Sequence, residues 1–148
     1  MADKEKFTAV RKKAMDLLAR REHSEHELRQ KLQARDFDFE TIDAAIDSLL
    51  NDGLLSDARF AESYVHHRYH AGMGPVKIRY ELRQKGVSDA LADEYIDALA
   101  ERWEALMRQL RARKYGATIP ADYAGRMKQA RFLQNRGFSP ESVMRLFA

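Results

Sequence analysis

The chain contains 148 residues, of which 45% are hydrophobic and 33% charged, which provides for a core and excludes a membrane protein or a large multi-domain enzyme. It has no cysteine, which excludes disulfides, thiolate zinc sites and cysteine nucleophiles. The net charge of +3 is concentrated near one end, because residues 101–148 carry 10 basic and 4 acidic side chains. This basic third indicates an acidic partner, either nucleic acid or an acidic protein surface.

Composition and the first residues predict a helical, cytoplasmic protein. Helix-favouring residues are abundant, whereas the chain has only 7 Gly and 3 Pro for turns. Residues 1–6 are mostly charged and lead directly into an amphipathic pattern, so no signal sequence is expected. No apolar run approaches the roughly 20 residues needed to span a bilayer.

Three helices are predicted before residue 54. Apolar residues at three- and four-residue steps over residues 7–18 predict an amphipathic first helix. The sequence Ser-Glu-His-Glu at residues 24–27 predicts a capping box that begins the second. Asp38 is expected to cap the third helix, and Gly53 to end it in a left-handed conformation.

Six more helices are predicted in the rest of the chain. Ser56 or Asp57 is expected to cap the fourth, and Pro75 suits the first turn of the fifth. Ser88 is expected to cap the sixth, but its apolar ladder continues in register, so residues 88–114 could form one helix or two. A linker at residues 116–120 precedes the last two helices, which are expected to begin near Asp122 and at Ser139-Pro140.

Internal repetition organises these elements. Residues 27–31, Glu-Leu-Arg-Gln-Lys, reappear letter for letter at residues 81–85, and residues 133–139 resemble residues 82–88. This repetition predicts an all-α fold of three tandem three-helix units, elongated or curved, with boundaries at residues 1–54, 55–100 and 101–148.

The sequence predicts no catalytic residue, no cofactor and no metal site. Glu62, His66 and His70 share one helical face at a spacing that can chelate a metal, but no second ligand cluster completes the site. The serines at helix starts are explained as caps, and Gly72-Met73-Gly74 has no preceding strand, so a phosphate loop is not indicated. A binding protein rather than an enzyme is therefore expected.

Cationic side chains on corresponding helices form the candidate partner-binding surface. Individually each could be an ordinary solvated charge, but stacked repeats would place them along one continuous side. The candidates are Arg29, Lys31 and Arg35 in the first unit, Lys77, Arg79, Arg83 and Lys85 in the second, and Arg111, Arg113, Lys114, Arg126, Lys128, Arg131 and Arg136 in the third.

Once these repeats are aligned, the sequence resembles the RecX family of bacterial recombinase regulators over almost its whole length. The most specific stretch is residues 52–61, Asp-Gly-Leu-Leu-Ser-Asp-Ala-Arg-Phe-Ala. Further matching stretches are residues 18–24, 27–32, 72–75, 81–87 and 131–139. Two departures are Leu54-Leu55-Ser56, where aromatic and acidic residues are frequent, and Gln134-Asn135, which dilutes a basic run.

The resemblance implies a cytoplasmic protein that binds the RecA filament on DNA. It implies restraint of ATP hydrolysis, strand exchange and co-protease activity, and thereby a weaker SOS response. Direct but weak contact with single- or double-stranded DNA and a monomeric state are also expected. Two other readings stay open, namely a helical protein that binds DNA without RecA and an adaptor that binds another protein without DNA.

Overall fold

The computed structural model describes residues 3–148, which form nine α-helices and no strand. None of the helices in this range is both long and apolar enough to cross a bilayer. The helices are α1 Asp3–Arg20, α2 Glu25–Gln33, α3 Phe39–Asn51, α4 Asp57–His70, α5 Pro75–Gln84, α6 Asp89–Asp97, α7 Trp103–Tyr115, α8 Tyr123–Asn135 and α9 Pro140–Phe147.

Side-chain caps begin most of these helices where the sequence predicts them. Ser24 forms the capping box, because its Oγ accepts from the Glu27 amide at 3.0 Å while its own amide donates to the Glu27 carboxylate at 3.3 Å. Ser56 rather than Asp57 caps α4. The predicted caps at Asp38, Ser88 and Ser139 are confirmed as well, and Asp122, near which the eighth helix was expected to begin, caps α8.

The apolar residues that continue in register after Ser88 belong to two helices, α6 and α7. The chain leaves the helix after Asp97, makes turns over residues 98–102 and resumes at Trp103. The Trp103 indole Nε1–H donates to the carbonyl of Ile96 at 3.0 Å, which holds the start of α7 against the end of α6. An apolar period alone could not show this break, because the turn preserves the spacing of the buried face.

The helices pack as three successive triplets, which confirms the predicted all-α fold of three-helix units. We call α1–α3 the first unit, α4–α6 the second and α7–α9 the third. Helix packing occurs mainly within each triplet, and the buried apolar side chains form one cluster per unit. Leu32, Leu82 and Leu133 are fully buried at the same place in the three clusters.

A left-handed residue between the second and third helices fixes the structural register of the units. Asp36, Gly86 and Gly137 adopt φ angles of 62°, 79° and 105° in this turn. Each lies four residues after the buried leucine and two before the cap of the third helix. Alignment on this turn defines which residues are equivalent in the three units.

The register suggested by the identical pentapeptides is wrong by one helical turn. In the structure Glu81 is equivalent to Lys31 rather than to Glu27. The similarity between residues 82–88 and 133–139 has the correct register. One position in the turn after the second helix then carries a cation in all three units, and its residues are Arg35, Lys85 and Arg136.

The first and second units meet where the start of α2 contacts the turn after α5. Ser24 Oγ donates to the Lys85 carbonyl at 2.7 Å, and the Glu25 amide donates to Asp57 Oδ1 at 2.8 Å. Gly86 lies so close to His26 that a Cβ atom at the glycine would come within 2.5 Å of the histidine Cβ. Glycine therefore permits this close approach.

The second and third units meet in the same way. The start of α5 contacts the turn after α8, where the Gly74 amide donates to the Arg136 carbonyl at 2.7 Å and the Val76 amide donates to the Gly137 carbonyl at 2.9 Å. A Cβ atom at Gly74 would lie 2.5 Å from the backbone of Gly137. We call these two equivalent contacts the first and second unit joints.

Substitution Gly74→Ala should open the second joint. Gly74 has a φ of −86°, so alanine strains nothing locally, but its methyl group would overlap the Gly137 backbone. Urea unfolding should show a loss of about 1–3 kcal/mol. Hydrogen exchange at the Val76 amide, which donates across the joint, should accelerate more than the loss of global stability explains.

The control is Gly53→Ala, which places alanine at a φ of 70° with no atom within 4 Å of the new methyl group. This variant is expected to lose stability through backbone strain without selective exposure of the Val76 amide. A Gly74→Ala protein with unchanged stability and unchanged Val76 exchange would contradict the packing of this joint.

Candidate functional site

Two candidate cations of the second helices are paired within their own units. Arg29 Nε lies 3.3 Å from Asp43 Oδ1, and the equivalent Arg79 Nε lies 2.7 Å from Asp93 Oδ1. Both aspartates lie on the third helix of the unit. Because the pairing repeats, it contributes to helix packing and leaves less positive charge for a partner.

The remaining candidates on α5 and at its C-cap are mostly neutralised too. Arg83 binds Asp89 through two bonds of 3.1 and 2.8 Å, and Lys85 Nζ lies 3.5 Å from the Glu27 carboxylate across the first joint. Lys77 has no carboxylate within ion-pair distance in the part of the chain that the structure describes, and its Cβ packs on Gly137.

In the first unit, Lys31 points to a buried histidine. Its Nζ lies 2.8 Å from His23 Nε2, and His23 Nδ1 lies 3.0 Å from the Arg21 carbonyl. The Nδ1–H therefore donates to that carbonyl, and Nε2 accepts from the ammonium group. Burial lowers the pKa of His23 and also that of Lys31. Arg35 is exposed and donates to the Lys31 carbonyl at 2.8 Å.

Arg111 lies in the core of the third unit and does not reach the surface. The residue is only 5% exposed, and its guanidinium donates to Gln129 Oε1 at 3.2 Å and to the carbonyls of Gly116 and Ala117 at 3.0 and 3.3 Å. Gln129 occupies the core position of Leu28 and Ile78 in the other units. The structure removes Arg111 from the candidate surface.

Arg126 has a similar structural role. Its Nε donates to the carbonyl of Pro120 at 2.8 Å, and its Nη1 donates to the carbonyl of Phe147 at 3.1 Å. These bonds attach the segment 116–122 and the end of α9 to the start of α8. Two of the seven predicted cations of the third unit thus stabilise the fold.

The other five predicted cations of the third unit have no carboxylate within ion-pair distance among residues 3–148. Four are exposed and Arg136 is half-buried. The five are Arg113, Lys114, Lys128, Arg131 and Arg136. In the first two units, carboxylates of the chain itself pair with Arg29, Arg79, Arg83 and Lys85. Arg35 and Lys77 have no such partner among the described residues.

Three of the five meet in a groove between the second and third units, which we call the second groove. It has a volume of about 450 Å³ and lies beside the second joint. No carboxylate lines it within the described range. The lining residues are Tyr69, His70, Ala71, Gly72, Leu106, Gln109, Leu110, Arg113, Lys114, Phe132 and Arg136.

An aromatic ring organises the cations of the second groove. Lys114 Nζ lies 4.2 Å and the Arg136 guanidinium carbon 5.5 Å from the centroid of the Phe132 ring. Tyr115 packs edge-on against the same ring at 5.7 Å. Phe132 is not among the residues predicted from the sequence, although it lies four residues before Arg136, a spacing that brings side chains together at a helix end.

The histidines of α4 do not assemble a metal site. The rings of His66 and His70 lie 4.3 Å apart in an edge-to-face arrangement. Within residues 3–148, no three His, Cys, Asp or Glu side chains are grouped so that they could hold a metal ion.

Three tandem three-helix units joined by repeated contacts define the class of this chain, which is an all-α helical repeat protein. Family models that describe the first, second and third three-helix domains of RecX match residues 11–49, 56–96 and 94–147. The chain belongs to the RecX family, which confirms the resemblance seen in the sequence.

Curated relatives and solved structures agree with this assignment. Regulatory protein RecX from Halorhodospira halophila is 45% identical over 91% of this chain and 84% of its own length. That from Pseudomonas fluorescens strain SBW25 is 44% identical over 96% of this chain and 92% of its own length. The crystal structure of RecX from Lactobacillus salivarius has the same fold, with a TM-score of 0.83 at 22% identity over 97% of this chain and 95% of that one.

The core role of Arg111 predicts a specific stability pattern. Arg111→Leu should lower the free energy of unfolding by about 1–3 kcal/mol, because Gln129 and two backbone carbonyls lose their buried donor. The double substitution Arg111→Leu/Gln129→Leu should recover part of this loss, since it removes one orphaned group. Urea unfolding of the single and double variants measures both effects. A stable Arg111→Leu protein would contradict this role.

Proposed function

We propose that this chain binds the RecA filament on DNA and inhibits or modulates its ATPase, strand-exchange and co-protease activities. In this way it would modulate DNA repair and the SOS response. The relatives carry the name Regulatory protein RecX, which supports a regulator rather than an enzyme. The observation that carries the proposal is the set of unpaired cations on the third unit, because they leave a strong positive field for a partner.

A series of joined units suits a helical polymer as partner. Three units in tandem, with boundaries near residues 54 and 100, can contact neighbouring subunits of a filament at once. Weak individual contacts then add through effective concentration. Such binding would inhibit ATP turnover if it braces subunits against the motion that turnover requires. The protein would act as a monomer and in the cytoplasm.

The candidate residues that remain available for this contact follow from the site geometry. Partners of the chain itself already occupy the charged groups of Arg29, Arg79, Arg83 and Lys85. The residues we propose for filament contact are Arg35, Lys77, Arg113, Lys114, Lys128, Arg131 and Arg136.

A second candidate function is direct binding to DNA without RecA. The observation in its favour is that Lys128 and Arg131 are exposed on α8 and have no carboxylate partner among the described residues. Exposed lysine and arginine side chains without a carboxylate partner can neutralise DNA phosphates. Affinity for naked DNA would then fall steeply with salt, because phosphate contacts release counterions.

The filament proposal predicts that this protein slows ATP hydrolysis by RecA on single-stranded DNA. Lys128→Glu/Arg131→Glu should raise the concentration for half-inhibition about tenfold, since it replaces attraction by repulsion at the filament surface. The matched control is Lys4→Glu/Lys12→Glu, which makes the same charge change at exposed positions of α1 and should inhibit like the natural protein.

Unchanged ATP hydrolysis at stoichiometric amounts of the natural protein would refute the proposal. Fluorescence anisotropy with a labelled DNA oligonucleotide in the absence of RecA separates the two candidate functions. Tight binding that weakens steeply with salt, together with no effect on RecA, would establish the second.

A further inference from the structure

The two unit joints are each accompanied by a groove, and the two grooves have equivalent walls. The first groove lies beside the first joint and is lined by Phe60, Tyr64 and His67 of α4. The second groove is lined by Leu106, Leu110 and Arg113 of α7, which have the same spacing. Lys85, which precedes Gly86 at the first joint, lines the first groove, and Arg136, which precedes Gly137 at the second joint, lines the second.

Carboxylates of the chain itself occupy the first groove. Glu27 accepts two bonds of 3.0 Å from the Arg21 guanidinium and lies 3.5 Å from Lys85 Nζ. Burial opposes ionisation of Glu27, but the hydrogen bonds and charge of Arg21 outweigh it and lower the pKa of Glu27 to about 2. The cations of this groove therefore face a permanent internal anion.

Glu81 is the second internal carboxylate beside the first groove. It accepts from Arg68 through bonds of 3.0 and 3.0 Å and from the Tyr64 hydroxyl at 3.0 Å. Burial, followed by the hydrogen bond to Glu81, raises the pKa of Tyr64 to about 12. Every oxygen of this carboxylate thus has a donor from the same unit.

The second groove lacks both carboxylates at the equivalent positions. Lys77 stands at the position of Glu27, and Phe132 stands at the position of Glu81. The ion pair between Arg68 and Glu81 is replaced by Lys114 over the Phe132 ring. The second groove therefore has a cation-bearing wall like that of the first but no internal carboxylate to neutralise it among the described residues.

We propose that the second groove binds a glutamate or aspartate side chain from an acidic segment of a protein partner. Arg113 and Arg136 would hold the carboxylate, since a guanidinium binds it through two parallel hydrogen bonds. Leu106, Leu110 and Phe132 would pack against the methylene groups and an apolar neighbour of the acidic residue. This inference rests on the proposed function in one respect, namely that the partner is a protein filament.

The contacts in the first groove indicate that the ligand of the second groove is a carboxylate and not a nucleic-acid phosphate. There the chain itself places a carboxylate within ion-pair distance of Lys85, the residue equivalent to Arg136. Leu106, Leu110 and Phe132 line the second groove beside its cations, which favours a peptide with alternating acidic and apolar side chains over a phosphate backbone.

Amide chemical shifts of the ¹⁵N-labelled full chain test this inference with a synthetic peptide of alternating glutamate and leucine. Saturable shifts are expected at Gly72, Arg113, Phe132 and Arg136. The same peptide with glutamine in place of glutamate should produce none. Arg113→Gln/Arg136→Gln should raise the Kd of the glutamate peptide about tenfold.

The matched control is Arg102→Gln/Arg145→Gln, which removes two exposed cations of the third unit that do not line the second groove. It should leave the Kd unchanged. Equal weakening in the control, or shifts confined to other surfaces, would overturn the inference. Oligothymidylate serves as the phosphate competitor. If it displaces the glutamate peptide from the same amides at a concentration below that of the peptide, the inference is overturned and the groove is a phosphate site.

The RecA assay separates failure of this inference from failure of the proposed function. If the natural protein inhibits RecA but the glutamate peptide does not shift the groove amides, the carboxylate site alone is refuted. If the peptide binds the groove but RecA is unaffected, the carboxylate site is supported and the filament function is refuted.

Discussion

The joint between successive units is the constraint on which the remaining structure depends. In both joints the start of a second helix lies against the following unit's turn, and a glycine permits the close approach. The backbone bonds at this contact are 2.7–2.9 Å long where Gly74 and Val76 donate. Lys85 directly precedes Gly86 of the first joint, and Arg136 directly precedes Gly137 of the second. The contact that holds two units together therefore also positions a cation in the adjacent groove.

Local signals made most of the helical framework predictable. Caps such as Ser24 and Ser139 act within three residues, so the sequence is sufficient to locate them. The sequence does not decide whether α6 and α7 are separate helices, because a turn that preserves the buried period leaves no gap in the pattern. The repeat register was misassigned, since the identical letters at residues 27–31 and 81–85 occupy positions one helical turn apart.

The candidate surface was less predictable, because charge availability depends on partners distant in sequence. Arg29 and Arg79 are neutralised by aspartates that lie on another helix. The burial of Arg111 follows from a polar residue, Gln129, at a core position, which only the correct register reveals. Five of the seven predicted cations of the third unit have no carboxylate partner among residues 3–148, which agrees with the basic composition of residues 101–148.

A cryo-EM reconstruction of this protein on a RecA filament assembled on single-stranded DNA would show which unit contacts RecA. We expect the third unit to face the filament, with Arg113 and Arg136 of the second groove against an acidic side chain of RecA. A reconstruction in which these two arginines face solvent, while the first unit supplies the contact, would contradict this expectation.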